Sequence, residues 1–318
     1  MTAATGAAGL LDLAVVIVSH NTRAHLLSCL ASLRDGGLDG LRARVMVVDN
    51  ASDDGTPAAV AAAFPTVELL ANPENVGYAA ANNMALRRAG FPVPDRAGAA
   101  GSARHVLLLN PDTVVPAGAL AGLVAELEAD HGLGAVGPKL VLPDGSLDLA
   151  CRRSFPTPLV SLYRFAGLSR LFPRSRRFGR YNLTFLDPDR PADVDSVVGA
   201  CMLVRGEAVR QVGLLDERFW MYGEDLDWAL RLRDAGWRVG YRPAVVVRHE
   251  KRAASRTSPR ARFEFQRAMW LFYEKHYART TPRLVHGLVL TALALRGGPR
   301  LVGEMLRDRS RSAAERVP

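Results

Sequence analysis

The stretch HVLLLNPDTVVP, residues 105–116, begins as a buried strand and then breaks its own pattern. An apolar run from Val106 to Leu109 is followed at once by Asn110, Pro111 and Asp112. All three are turn formers, so a turn accounts for them. A ligand site accounts for them as well, because open α/β sheets bind ligands beyond the carboxyl ends of their strands.

On either side the same rhythm repeats. LAVVIVSHN (13–21) reads as a strand, and the amphipathic TRAHLLSCLASLRDGG (22–37) as a helix closed by glycine. RVMVVDNASDDGT (44–56) and TVELLANPENVG (66–77) are further strands with turns, each followed by an Ala-rich helix. AGALAGLVAELEAD (117–130) is the helix after the opening strand, and GAVGPKLVLPDGS (134–146) is a fifth strand. FPVPDRAGAAGSAR (91–104) reads as a loop. Such alternation predicts an α/β fold, a mainly parallel sheet with helices on both faces. Residues 143–192 lose the pattern in a basic, proline-containing segment. Regularity returns with a strand and helix over 194–219, the acidic helix start MYGEDLDWALRLRDAGW (221–237), the strand RVGYRPAVVVRHE (238–250) and a basic helical tail.

The 318 residues are 48% hydrophobic with a mean hydropathy of +0.02, as in a soluble protein with a large core. Cys29, Cys151 and Cys201 are few, odd in number and far apart, which argues against a disulfide framework and for a reducing, cytoplasmic setting. The first basic residue is Arg23, behind the first apolar run, so that run reads as a strand and not as a signal peptide. The longest apolar tail segment, Leu284 to Leu295, has 12 residues, too short to span a membrane. The net charge is +9, yet residues 1–250 sum to −1 and the tail from Lys251 to +10. A second basic cluster comprises Arg164, Arg170, Arg174, Arg176, Arg177 and Arg180. The near-neutral folded portion speaks against nucleic acid as a partner, whereas the tail suits an anionic membrane surface.

Four clusters fall where strands give way to loops. Asp49, in VVDNASDDG, reads as an Asx turn or as a carboxylate for a nucleotide's donor groups. Asp112 reads as a turn residue or as a hard oxygen ligand for Mg²⁺ or Mn²⁺. Asn75 and Gly77 precede a helix start whose N–H groups favour an anion; their spacing fits neither a P-loop nor a dinucleotide fingerprint. Glu224, Asp225 and Asp227 place three acids in four residues, more than capping needs, so that Asp225 or Glu224 is a candidate general base. His249 closes one more strand and is a candidate metal ligand.

Taken in order, strand-end Asp, Asn-x-Gly, Asn-Pro-Asp, Gly-Glu-Asp and strand-end His resemble the family 2 glycosyltransferases of the GT-A fold, nearest to a bacterial rhamnosyltransferase-like branch. The likeness covers roughly residues 12–250. It implies a catalytic domain over 1–255 and a helical basic C-terminal extension over 256–318. It implies Asp49 on the nucleotide base, with Ser19 and Asn21 lining the same pocket beside Asn75, Gly77, Asn83 and Asn110. It further implies Asp112 and His249 on a divalent metal, and Asp225 as catalytic base with Glu224 beside it. Two departures stand out: Asn110 replaces the first acid of Asp-x-Asp, and Asn82-Asn83 replaces Arg-Asn. The Gln-x-x-Arg-Trp motif of processive synthases is absent. The implied reaction is inverting, metal-dependent transfer of one sugar, best matched by dTDP-rhamnose, to a hydroxyl of a glycan or polyprenyl-linked acceptor. The basic tail would lie against the inner face of the plasma membrane, or pack on the catalytic domain. The rival readings are a sugar-phosphate nucleotidyltransferase, for which no Gly-rich basic N-terminal loop is present, and a non-catalytic nucleotide-sugar or glycan-binding module, which would not need the Glu-Asp pair.

Overall fold

The computed structural model describes residues 11–92, 103–251 and 258–314. Most of the loop expected at 91–104, the segment before Leu11 and the 255/256 boundary lie outside them.

Strand β1 (Leu11–Ser19) is apolar and buried from Leu13 onward, as a central strand covered on both faces must be. It pairs in parallel with β2 (Ala43–Asp49) and β4 (Ala103–Leu109), and β2 with β3 (Glu68–Ala71). Beyond β4 the order continues through β8 (Cys201–Arg205), β6 (Leu133–Val141), β9 (Arg238–His249) and the short β5 (Thr113–Val114), with β7 (Ala192–Val194) also on β9. Because β4 and β6 are both antiparallel to β8, and β9 is parallel to β6, the strands β1, β2, β3, β4, β6 and β9 all point one way. Their carboxyl ends therefore share one edge. β8, β5 and β7 run against them.

The period-two pleat divides the core. Ala14, Val16 and Val18 face one apolar layer, with Leu13, Val15 and Ile17 facing the other. The first layer is closed by α3 (Tyr78–Arg88), α7 (Gly206–Val212), α8 (Glu224–Asp234) and α9 (Pro259–His276); the second by α1 (Arg23–Ser32), α2 (Thr56–Ala63) and α4 (Ala119–Glu128). In α1, Leu26, Cys29, Leu30 and the following Leu33 recur at the spacing that aims one helical stripe inward. All three cysteines are free and buried.

The segment without pattern holds α5 (Pro158–Phe165) and the single turn α6 (Leu168–Leu171). Its periodicity is weak because Leu159, Leu162 and Leu171 point outward, at 55%, 58% and 71% exposure. The tail is helical, as α9 and α10 (Arg283–Ala314), the latter broken at Gly298. Ala268 and Phe272 of α9 lie in the main core beside Trp228, so packing joins α9 to the fold expected for 1–255. Among the described residues no helix is long and apolar enough to cross a membrane.

Candidate functional site

At the shared strand edge, Asp49 ends β2 almost fully buried, and its Oδ2 accepts the Ser52 N–H at 2.9 Å. Its Oδ1 is buried with no hydrogen-bond partner. A buried carboxylate oxygen without a partner calls for an explanation, and a ligand's N–H or O–H would supply one. The turn and the ligand reading of Asp49 therefore use different oxygens. Around it, Ser19 Oγ lies 2.7 Å from Thr22 Oγ1, and Asn21 accepts the Asp53 N–H at φ +52°. Asn50 ties the neighbouring loops: it donates to Asn75 Oδ1 (2.9 Å) and to the Gly77 carbonyl, and accepts from Asn72.

Asn75 and Gly77 are occupied locally. Asn75 Oδ1 accepts the Gly77 N–H at 3.1 Å, and the Tyr78 N–H at the start of α3 donates to the Trp220 carbonyl at 2.6 Å. That N–H is therefore not free for an anion. Gly77 sits at φ +91°, and a Cβ there would stand 2.6 Å from Trp220. Its glycine is demanded by packing and backbone geometry. Asn83, also expected in the nucleotide pocket, is bonded within the chain: its amide donates to the Leu215 carbonyl and Glu217 and accepts the Leu215 N–H. Buried, it fastens α3 to the 215–217 loop.

The opening turn exists. Thr113 Oγ1 donates to the Asn110 carbonyl at 2.8 Å, closing the loop around Pro111. The chain then pairs Thr113 with His249 through β5, a two-residue strand too short for any periodicity to announce. This pairing sets Asp112 Oδ1 3.3 Å from His249 Nε2, while His249 Nδ1 donates to Asp148 Oδ2 at 2.9 Å. Lys251 Nζ donates to the other Asp148 oxygen at 2.5 Å. Burial works against charge on the imidazole, but the bonds to Asp112 and Asp148 outweigh it and lift His249 to about 9. Burial likewise opposes charge on Asp148, and the bonds from His249 and Lys251 hold it well below the usual carboxylate range.

These residues fit a hard divalent cation. Two ligands about 2.1 Å from one ion at roughly right angles stand about 3 Å apart, close to the separation of Asp112 and His249. A carboxylate on the far ring nitrogen is the usual support for a ligating histidine. Among the described residues no third acid, histidine or cysteine completes the set, so remaining positions would fall to water and ligand oxygens.

The Glu-Asp pair opens α8 nearby. Asp225 Oδ2 accepts from Arg153 Nη2 (2.6 Å) and the Gly199 N–H (2.9 Å), and Oδ1 accepts the Leu226 N–H. Arg153 is itself buried, and its pairing with Asp225 keeps it charged despite that burial. Glu224 has no such partner: burial, then the neighbouring Asp225 charge, push its carboxyl up to about 8. One buried cation balances one of two buried carboxyls, and the other keeps its proton. Tyr78 joins the two halves, its hydroxyl lying 3.1 Å from Asn110 Oδ1 and 3.2 Å from the Gly199 carbonyl. Burial, Glu224 and Asp225 together keep it a neutral phenol.

Residues 11–269 match the model of the family described as "Glycosyltransferase like family 2", and the chain belongs to that family. It is a glycosyltransferase with the GT-A fold. Among curated relatives it is 36% identical over 252 residues, 78% of either chain, to the N-acetylglucosaminyl-diphospho-decaprenol L-rhamnosyltransferase of Mycobacterium tuberculosis. Among solved structures it superposes on the mannosyltransferase PcManGT from Pyrobaculum calidifontis, in complex with GDP-Man and Mn²⁺. That match has a TM-score of 0.55 at 18% identity, over 96% of this chain and 81% of that one. GalNAc-T7 with UDP, GalNAc and Mn²⁺ gives 0.57 at 16% identity, over 83% and 48%.

Arg153, Asp148, Gly199 and Tyr78 were not selected from sequence. Only Arg153 carried a signal, an arginine pair set between Cys151 and Phe155 in a stretch without acids.

Proposed function

We propose that the protein moves a single sugar, with inversion, from a nucleotide diphosphate sugar to a hydroxyl of a polyprenyl-linked acceptor, and that the donor is dTDP-rhamnose. One observation carries this reading: the orphan oxygen of Asp49 and the Asp112–His249 pair lie at the carboxyl ends of parallel strands, and Tyr78 bonds both Asn110, near Asp112, and Gly199, whose N–H holds Asp225. The rhamnosyltransferase relative supports the sugar and the acceptor class.

In this reading Asp49 Oδ1 accepts from the nucleotide base, while Ser19 and Asn21 shape the floor. Asp112 and His249 would hold Mg²⁺ or Mn²⁺, whose charge offsets that developing on the departing diphosphate. Asp225, fixed by Arg153 and the Gly199 and Leu226 N–H groups, takes the acceptor proton on Oδ1 as the acceptor oxygen attacks the anomeric carbon. Glu224 stays protonated at neutral pH, so the base carries the only carboxylate charge of the pair. No general acid is called for, because diphosphate leaves as a stabilised anion.

The test is thermal stabilisation by dTDP-, UDP- and GDP-sugars, each with Mn²⁺ or EDTA, followed by turnover of Asp225→Asn. A dTDP-specific shift abolished by EDTA, with turnover down about 10²–10⁴-fold in the variant, is expected. Stabilisation indifferent to EDTA, or full turnover in Asp225→Asn, would overturn the metal or the base.

Helix α10 supports attachment to an anionic membrane face. Its inner side packs Leu293 and Leu301 on Trp270, while Leu284, Val285, Leu288 and Leu295 face outward at 82%, 39%, 67% and 81% exposure. Apolar residues on an outward face flanked by Arg283 and Arg296 suit an interfacial helix. Truncation at 255 would remove core residues of α9, so the proper test is Leu284→Glu/Leu288→Glu in the full chain. Co-sedimentation with anionic liposomes should fall at least tenfold; equal partitioning would refute the attachment.

A further inference from the structure

Toward the C-terminal end of α8, away from the Glu224–Asp225 pair at its start, lies a cavity of about 560 Å³. Four arginines line it, Arg176, Arg180, Arg233 and Arg238, against two acids. Both acids are already engaged: Asp193 pairs with Arg238 at 2.7 Å, and Asp195 Oδ2 accepts the Phe155 N–H at 3.0 Å. Arg176 and Arg180 have no side-chain hydrogen bond or ion pair among the described residues. Ser154, also in the wall, is 3% exposed, and its hydroxyl is buried without a partner. A buried unsatisfied hydroxyl costs about 1–3 kcal/mol, so a donor is held ready for an acceptor that the chain does not supply. The rest of the wall is apolar, with Phe185 and Trp237 its largest side chains. The ligand this describes is an anion with several acceptor oxygens and an apolar body.

The surroundings narrow it further. Between Asp148 and Asp187 the chain carries eight arginines and not one acid. The segment bearing Arg176 and Arg180 is fastened to α5 and to the end of α6 through Phe178, whose ring lies 5.0 Å from Tyr163 and 5.6 Å from Phe172. Beside it, Leu159, Leu162, Phe165, Leu171 and Phe172 are exposed by 40–71%. Ser154 directly follows Arg153, whose guanidinium holds Asp225, so one peptide links the cavity wall to the residue that fixes the candidate base.

We propose that this cavity binds the diphosphate of a prenyl-linked acceptor. Arg176, Arg180 and Arg233 take phosphate oxygens in the forked geometry that guanidinium groups favour, and Ser154 donates its hydroxyl. The prenyl chain leaves over the exposed apolar residues of α5 and α6. This rests on the glycosyl-transfer reading above, and it assigns the acceptor's anchor to residues outside the donor site.

The test titrates the full-length chain with farnesyl diphosphate, inorganic pyrophosphate and farnesol, following tryptophan fluorescence and calorimetric heat, with EDTA present. Farnesyl diphosphate should bind and quench, with pyrophosphate at least tenfold weaker and farnesol silent. Arg176→Ala/Arg180→Ala should weaken farnesyl diphosphate at least tenfold while leaving stabilisation by nucleotide sugar and Mn²⁺ unchanged. Trp237→Phe should lose most of the quench while keeping the heat. Farnesyl diphosphate binding unaltered in the double variant, or pyrophosphate bound as tightly as farnesyl diphosphate, would overturn the proposal. No farnesyl diphosphate binding in a chain that nucleotide sugar still stabilises would sink this subsite alone. Farnesyl diphosphate binding that needs Arg176 and Arg180, in a chain that no nucleotide sugar stabilises, would uphold the subsite and overturn the donor site.

Discussion

Replacing Arg153 with methionine keeps most of the side-chain volume and removes the only guanidinium hydrogen-bonded to Asp225 among the described residues. The ion pair is enclosed, with the two side chains 11% and 6% exposed. Breaking a buried pair by deleting one partner costs about 3–5 kcal/mol, because the remaining charge is left uncompensated. Here the Gly199 and Leu226 N–H groups still hold the Asp225 carboxylate, which favours the lower end, about 3 kcal/mol. In a domain of this size that lowers Tm by roughly 4–6 °C. Asp225→Asn strands the guanidinium instead and should also destabilise. The double variant Arg153→Met/Asp225→Asn leaves neither charge, so it should recover about 1–3 kcal/mol relative to the sum of the single losses. Chemical and thermal unfolding of the four proteins at pH 7 measure this cycle. Strict additivity, or a loss below about 0.5 kcal/mol in Arg153→Met, would refute the pair as an electrostatic unit and remove the reason given for Glu224 keeping its proton.

Glu224→Gln should change how stability depends on pH. The folded value, about 8, lies above the ordinary 4.5, so the wild-type contribution is fully present below pH 4.5 and is lost as pH rises through 8. The variant should therefore gain on wild type, by on the order of a few kcal/mol, between pH 5 and pH 9. Denaturant unfolding at both ends reads this, and a constant difference would contradict it. Asp148→Asn removes the carboxylate behind His249 and should weaken Mn²⁺ binding in the presence of dTDP about 10–100-fold by calorimetric titration. Unchanged affinity would exclude His249 from the metal. Gly77→Ala forces a Cβ against Trp220 at positive φ and should cost at least about 1–3 kcal/mol; a melting temperature equal to wild type would show that the loop yields freely.

The sheet was legible because burial on both faces leaves a plain mark, runs such as LAVVIVS and VLLL with no polar residue to interrupt them. Asp49, Asp112 and His249 were legible for a related reason: polar residues ending apolar runs stand out. What could not be read was contact at long range. Asp148 meets His249 across 101 residues and Arg153 meets Asp225 across 72, and neither Asp148 nor Arg153 sits in a periodic element. Asn83 shows the same blindness to distance. Its place beside a motif suggests a ligand-binding group, and nothing local reveals that its amide also satisfies the backbone of a loop 132 residues away. The segment 158–172 hid its helices because helical periodicity is visible only when the outward face is polar, and this one is not.

The three acids at the start of α8 show how one local pattern serves separate ends. Capping accounts for only one of their side-chain contacts, the Leu226 N–H bonded to Asp225. Asp225 takes Arg153 and the Gly199 N–H, and Glu224 stays uncharged beside it. Asp227 faces away from that pair: it accepts from Arg231 one turn on, and from His276 (2.7 Å) and Lys275 (2.6 Å) of α9. Asp227 is fully buried, so its charge is tolerated only because Arg231 and Lys275 pair with it and His276 bonds to it. Helix α8 is thereby pinned at its first turn by two different parts of the chain, the Arg153 segment through Asp225 and α9 through Asp227. Damage to α9 should then reach the site without touching it. Asp227→Asn is the variant that separates the two grips: it should loosen α9 and lower stability, yet leave the Arg153–Asp225 coupling intact when the double-variant cycle is repeated in its background. Loss of that coupling in Asp227→Asn would mean that α9, and not the Arg153 segment, sets the position of the base.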